Sequence, residues 1–252
     1  MMNTFNCYIR KEILESLRQY KYLIIALGII IFAISGPIML KLTPLLIKSQ
    51  PEISINSDSF MTIKSCLQSF ISSLFQISIM FIVFTVCTSI AEELTLQKLV
   101  FPCSKGASPM FIVISKFLNY SIPVTILTTA GIFINHYYAS VLFKSSDVST
   151  TNLITVSLLI SLYYIFNISL VLFFSSIMKK SLPAGILTLV IGYASAAVIK
   201  VPHIKDFLPY KLVSDSSSLT FKGTTSTVLF TIFLTIIFLI ATIYRMNHVD
   251  VI

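Results

Sequence analysis

The sequence predicts an all-α membrane protein that crosses the bilayer six times, and three observations carry that expectation. The 252 residues are 56% hydrophobic and 11% charged, with mean hydropathy +0.91, whereas water-soluble domains carry about 25% charged residues. The 18 basic and 10 acidic residues leave six windows free of charge: 22–40, 65–91, 117–143, 148–178, 181–199 and 223–244. Each window is as long as the roughly 18 to 20 residues an α-helix needs to cross a hydrocarbon core of about 30 Å. Runs such as Leu23-Ile24-Ile25-Ala26-Leu27 are apolar on every side. A lipid-facing β-strand would alternate apolar with polar residues, so helices are the expected spanning elements.

Residues 1–21 precede the first span. Phe5, Ile9, Ile13 and Leu17 recur every four residues, with Arg10, Lys11, Glu15 and Arg18 on other faces. This pattern predicts an amphipathic helix lying flat on the membrane surface; a short continuation of span one into water is the alternative. Span one is expected over 22–40, with Gly36-Pro37 kinking or ending it early, because Pro lacks an N–H and disfavours helical geometry at the residue before it. Residues 41–64, with Pro44 and Pro51, read as an irregular loop. Span two, 70–91, carries Ser72, Ser73, Gln76, Ser78 and Thr85, more hydrogen-bonding groups than a lipid-facing helix keeps.

The stretch 92–116 is the most informative. Glu92-Glu93 ends the apolar run, Leu94 to Phe101 can form a short amphipathic helix, Pro102 closes it, and Met110 to Lys116 climbs back into span three at 117–143. Span four, 153–178, is joined to span five, 182–199, by the very short turn Lys179-Lys180-Ser181, which predicts an antiparallel hairpin. Ala184, Gly185, Gly192 and Ala194 in span five favour close helix contact. The connection 200–222 mixes apolar residues with four lysines and reads as dipping into the membrane interface. Span six is expected over 225–244. The whole of 1–252 reads as a single transmembrane domain.

Basic residues in the connections number ten against eight when both termini are placed in the cytoplasm, the orientation that the positive-inside rule favours. No cleavage site of the signal-peptide kind follows the basic N-terminal segment. A net charge of +8 suits anionic lipid, and no basic and aromatic surface long enough to bind nucleic acid is present. Cys7, Cys66, Cys87 and Cys103 lack ligand or CxxC spacing, so free thiols are expected. His136, His203 and His248 are far apart and lie in no HExxH, Ser/His or paired-Asp setting, which argues against an enzyme and a metal site. No glycine is followed by Lys, so the phosphate loop G-x-x-x-x-G-K-[ST] is missing. His136 is the lone ionisable group in the six windows, where ion-driven carriers place their relays.

These features leave a membrane part driven from outside itself or a passive pore, and the charged or repeated polar rings expected of a pore are not evident in the sequence. The segment Glu92-Glu93, Leu94 to Phe101, Pro102, Ser104-Lys105 and Lys116 resembles the six-span permease subunits of type 2 ABC transporters, mostly exporters. It departs from them at Leu94-Thr95, where Gly-Thr is frequent, and by Cys103 beside the Pro-Ser element. The resemblance implies an N-terminal elbow helix and a coupling helix, here Glu92, Glu93, Leu96, Leu99, Phe101, Pro102 and Lys105, seated on a separate cytoplasmic ATPase subunit that binds ATP and Mg. This chain itself would bind no cofactor. The family works as a dimer of permease chains, homo- or heterodimeric, in the plasma membrane, with the path lined by spans two and five. Here that implies Ser72, Ser73, Gln76, Ile79, Phe81 and Phe84 with Ile186, Leu189, Tyr193 and Ala197. A lining so poor in charge suits amphipathic or antimicrobial peptides or lipophilic drugs. The alternatives are a non-transporting scaffold or sensor coupled to an ATPase, and an autonomous carrier.

Overall fold

The computed structural model describes residues 2–47, 62–99, 108–143, 148–178, 180–199, 205–221 and 223–248. Among these residues the chain is helical throughout and has no strand. The helices are α1 (Met2–Arg18), α2 (Lys21–Ile47), α3 (Ile63–Ser73), α4 (Ile79–Thr95), α5 (Pro109–Phe143), α6 (Thr150–Ile177), α7 (Ser181–Val198), α8 (Lys211–Ser218) and α9 (Thr224–Asn247). Six stretches are long and apolar enough to cross a membrane: α2, α3 with α4 as one span over Ile63–Thr95, α5, α6, α7 and α9. The chain is a multi-pass membrane protein.

α6 is the central post. It packs against α4, α5, α7 and α9, and 78% of its apolar window is buried against 22% for α9. Tyr163, Tyr164, Ile168 and Leu172 on α6 meet Ile79, Ile82 and Val86 of α4 in one continuous core. Because successive spans run antiparallel, the start of α2, the end of α4 and the start of α5 share one end of the bundle, and α1 lies against it, packed on α5 and α2. That end is called the base below.

Several boundaries differ from the sequence expectation, each for a physical reason. α2 neither breaks nor stops at Gly36-Pro37 but runs on to Ile47. Pro37 leaves the carbonyl four residues earlier, Ala33 O, without its helical donor, and Asn135 Nδ2 of α5 donates to that oxygen at 3.0 Å. The region expected as a loop over 41–64 is helical at 41–47 and again from Ile63; residues 48–61 lie outside the described residues. Thr62 starts α3 with a reciprocal capping box to Ser65, a signal of the Thr-x-x-Ser type that precedes an apolar run. The second span therefore begins at Ile63 rather than at 70.

α3 and α4 are joined by a π-helical turn, Leu74–Ser78. Such turns loosen the backbone ladder and need outside partners inside a membrane. Tyr164 OH donates to Leu74 O at 2.9 Å, Tyr193 OH donates to Gln76 O at 2.7 Å, and Ser78 Oγ donates to Gly28 O. Phe75 from the same turn is surrounded by Tyr163, Tyr193 and Tyr210, with ring centroids 6.1, 5.4 and 4.6 Å away. The connection between α7 and α9 contains a 3-10 turn, Lys205–Phe207, and α8, which packs on α3, α6 and α9.

Candidate functional site

The base holds the densest charge in the fold. α1 ends at Arg18, and Tyr20 takes a left-handed conformation, φ 55°, which a non-glycine residue adopts at a cost of about 1 kcal/mol or more. That corner folds α1 back over the feet of α4 and α5. α4 closes similarly: Lys98 N donates to Glu93 O at 2.9 Å around Gln97, φ 52°, the six-to-one bond of a Schellman ending.

Lys116 is the centre of what these corners bring together. It sits two turns inside α5, 1% exposed, with its ammonium 3.0 Å from Glu12 Oε1 and 2.9 Å from Glu93 Oε2. Lys11 completes the ring, 2.6 Å from Glu93 Oε1, 2.9 Å from Glu12 Oε1 and 3.0 Å from Glu15 Oε2. Burying any one of these charges alone would cost several kcal/mol; the ring is tolerable because each charge is met by its opposite. The carboxylate oxygens of Glu12, Glu15 and Glu93 lie within 4.8 Å of one another, close enough to repel. The Lys11 and Lys116 ammoniums stand among them, so the cluster carries its own cations and reads as a charge lock between helices rather than a metal site.

Burial alone would lower the Lys11 pKa, but Glu93 and Glu12 outweigh it and hold the ammonium above its ordinary range. Burial would raise Glu15, yet the hydrogen bond and charge of Lys11 leave it below the usual carboxylate value. Burial, with Glu93 next, pushes the Tyr8 hydroxyl up, and the Lys11 ammonium lies 5.1 Å from the Tyr8 ring centroid.

A second polar layer lies one turn further along α5. Asn119 Nδ2 donates to Ser16 Oγ at 2.8 Å, its Oδ1 accepts from Tyr22 OH, and Lys21 Nζ donates to Tyr120 OH at 3.3 Å. α1 thus docks through Tyr8, Glu12 and Ser16. The apolar residues Ile13 and Leu17 point away from the bundle, 40% and 55% exposed against 3% for Glu12 and 1% for Ser16.

The residues singled out at 92–105 divide. α4 does not end at Glu92-Glu93 but runs through them to Thr95, and residues 96–99 form a turn, so no separate helix occupies 94–99. Glu93 is buried in the lock, Glu92 is exposed, Leu96 is 59% exposed, and Leu99 is 1% exposed, packed in the chain's own core. Phe101, Pro102 and Lys105 lie outside the described residues. Span three begins at Pro109, which moves Lys116 from the membrane border into the helix.

The residues expected along a path also divide. α4 and α7 pack against each other within one chain, with Ile79 and Leu189 buried at their seam and the Gly185 Cβ position 3.3 Å from Phe84 Cδ1. Tyr193 reaches Gln76 across the same seam. Ser72, Gln76, Phe81, Ile186 and Ala197 face outward, and Ser73 Oγ is turned onto Ser69 O. Cys7, Cys66 and Cys87 are free thiols; Cys103 lies outside the described residues.

Sequence pattern alone does not single out Glu12, Ser16 and Lys11 as partners of the third span. The signal is present as Tyr8, Glu12 and Ser16 at spacing four, facing Lys116 and Asn119-Tyr120 at helical spacing in α5. No protein-family model matches this chain, and neither does any curated protein sequence.

Proposed function

We propose that this chain is the membrane subunit of an ATP-driven exporter, working as a dimer with separate cytoplasmic ATPase subunits and moving amphipathic peptides or lipophilic molecules. The base faces the cytoplasm in this reading, with α1 as the elbow helix and residues 92–106 as the segment that meets the ATPase. The observation that carries it is the buried lock of Glu12, Glu93 and Lys116, which ties the foot of α4, the foot of α5 and α1 into one rigid piece directly beside that segment. A push on the turn after α4 would then move three helices together, because separating them would strand buried charge. The missing phosphate loop and the six charge-free windows of the sequence supply the need for an outside engine. The outward stripe Ile13, Leu14 and Leu17 gives α1 an apolar face for the lipid surface.

The test is co-expression of the tagged chain with candidate ATPase subunits. We expect an ATPase to copurify and Leu96→Asp, at an exposed position, to release it while the chain stays monodisperse. Cargo flux in liposomes holding this chain alone would overturn the reading. An ATPase-active complex that moves no cargo would support a scaffold or sensor instead.

A further inference from the structure

Beyond the ATPase partnership, and independent of it, two adjoining depressions run along one side of the molecule from the base. The first, of about 620 Å³, lies on α1 and is of mixed character, bordered by Lys11, Leu14, Glu15, Arg18 and Gln19. Through Gln19 it meets a second of about 660 Å³ between α2 and α4. This second groove has Lys21 and Glu92 at its base end; beyond them come Thr88 and Thr85, whose hydroxyls are spent on backbone carbonyls, and a mainly apolar wall of Ile24, Met80, Phe81 and Phe84 as far as Ile77. From Glu92 to Ile77 the wall follows fifteen residues, roughly 22 Å at 1.5 Å per residue. A single leaflet of hydrocarbon is about 15 Å deep, so the groove takes in the full depth of one leaflet.

The polarity falls in one direction, charged at the base end and apolar along the rest, which is the profile of a single amphiphile lying beside the bundle. A second helix packed there would have no use for charges at one end alone. The charges can be apportioned. Glu15 is already paired with Lys11. Arg18 and Glu92 are exposed and form no ion pair among the described residues. Lys21 spends one of its three donors on Tyr120. What is left is Lys21 and Glu92 at the mouth of the apolar groove, with Arg18 on the adjoining depression that shares Gln19 with it. We propose that this groove holds one membrane phospholipid of the phosphatidylethanolamine kind. Its phosphate lies between Arg18 and Lys21, its ammonium on Glu92, and one acyl chain along Met80, Phe81 and Phe84.

The experiment uses the purified full-length chain, with native mass spectrometry counting retained lipid after titration with dioleoyl phosphatidylethanolamine, phosphatidylcholine or phosphatidylglycerol. A diazirine-tailed phosphatidylethanolamine then maps where the acyl chain lies. The expected result is one phosphatidylethanolamine per chain, with photolabel on α2 and α4. Glu92→Gln should erase the preference for the primary ammonium, and Arg18→Gln with Lys21→Gln should weaken all three lipids by roughly tenfold or more, the scale of at least one lost hydrogen bond to a charged group. Met80→Trp, which fills the apolar wall without touching the headgroup end, should remove the label. Equal retention of the three lipids by wild type, label concentrated on the exposed face of α9 around Phe233, or chain-to-chain disulfides through Phe81→Cys showing a second copy in the groove would each overturn the proposal.

Discussion

Lys116 has two carboxylates and no water to fall back on. Lys116→Met leaves Glu12 and Glu93 buried beside each other, and breaking one side of a buried pair costs about 3–5 kcal/mol. For a chain of this length we expect thermal unfolding in detergent to begin about 10 °C lower. A paired change of Glu12→Gln with Lys116→Met should recover part of that loss. Lys11 is different, since it is half-exposed. Its pKa is raised in the folded protein, so its contribution is complete below the ordinary value of 10.5 and fades only as pH climbs through the raised one. The difference in melting temperature between wild type and Lys11→Met should therefore stay constant from about pH 6 to 10. Glu15 has the opposite sign, its lowered pKa giving a contribution present above 4.5 and lost on acidification below it.

At the level of the helices, the close approach of α2 to α4 rests on Gly28. A Cβ there would lie 2.7 Å from Phe81 Cγ and 2.8 Å from Phe81 Cβ, the rigid root of that side chain, while at Gly192 the nearest atom is Tyr163 Oη at 3.5 Å. Gly28→Ala should cost about 1–3 kcal/mol through overpacking, and Gly192→Ala should be nearly neutral; melting curves of the two variants separate these outcomes. The π turn makes a sharper demand. Deleting Gln76 would restore an α-helical ladder and turn α3 by about 100°, swinging Phe70, Leu67 and Cys66 out of the core. We expect no folded protein from that deletion, read as loss of the monodisperse peak, whereas Gln76→Ala should fold.

These same elements mark where sequence reading succeeds and where it stops. Six spans are legible because charge-free length is a one-dimensional property. The survival of α2 past Pro37 is not, because it depends on Asn135, 102 residues away in sequence from the carbonyl it serves. The acidic pair 92–93 and Lys116 stand out by position, but the lock cannot be assembled from them, since Glu12 looks like one more surface charge on an amphipathic helix. Periodicity marks which stripe of α1 is apolar; only packing decides that the polar stripe faces the protein.

Across the whole molecule, α9 has the smallest buried share of any candidate span, 22% of its apolar window. Leu229, Phe233, Ile236, Ile240 and Tyr244 form a stripe along α9 that is 50% exposed or more, as expected of a face toward acyl chains. Phe233→Arg places a charge near the middle of that span, at a cost of about 2.5–3.5 kcal/mol for insertion. The fraction of chain recovered in membranes should fall, while Phe233→Ala leaves it close to wild type.

The ion lock also fixes an order of events during synthesis. Glu12 precedes Lys116 by 104 residues, and at about 5–20 residues per second a ribosome needs roughly 5–20 s to bring the second after the first. Through that interval the N-terminal helix exists without the cation it is built to enclose, and its acidic side chains remain wet. Closure of the base must therefore follow insertion of the third span, so that α1 reaches its final place only after α2, α4 and α5, all made later than it, are in the membrane.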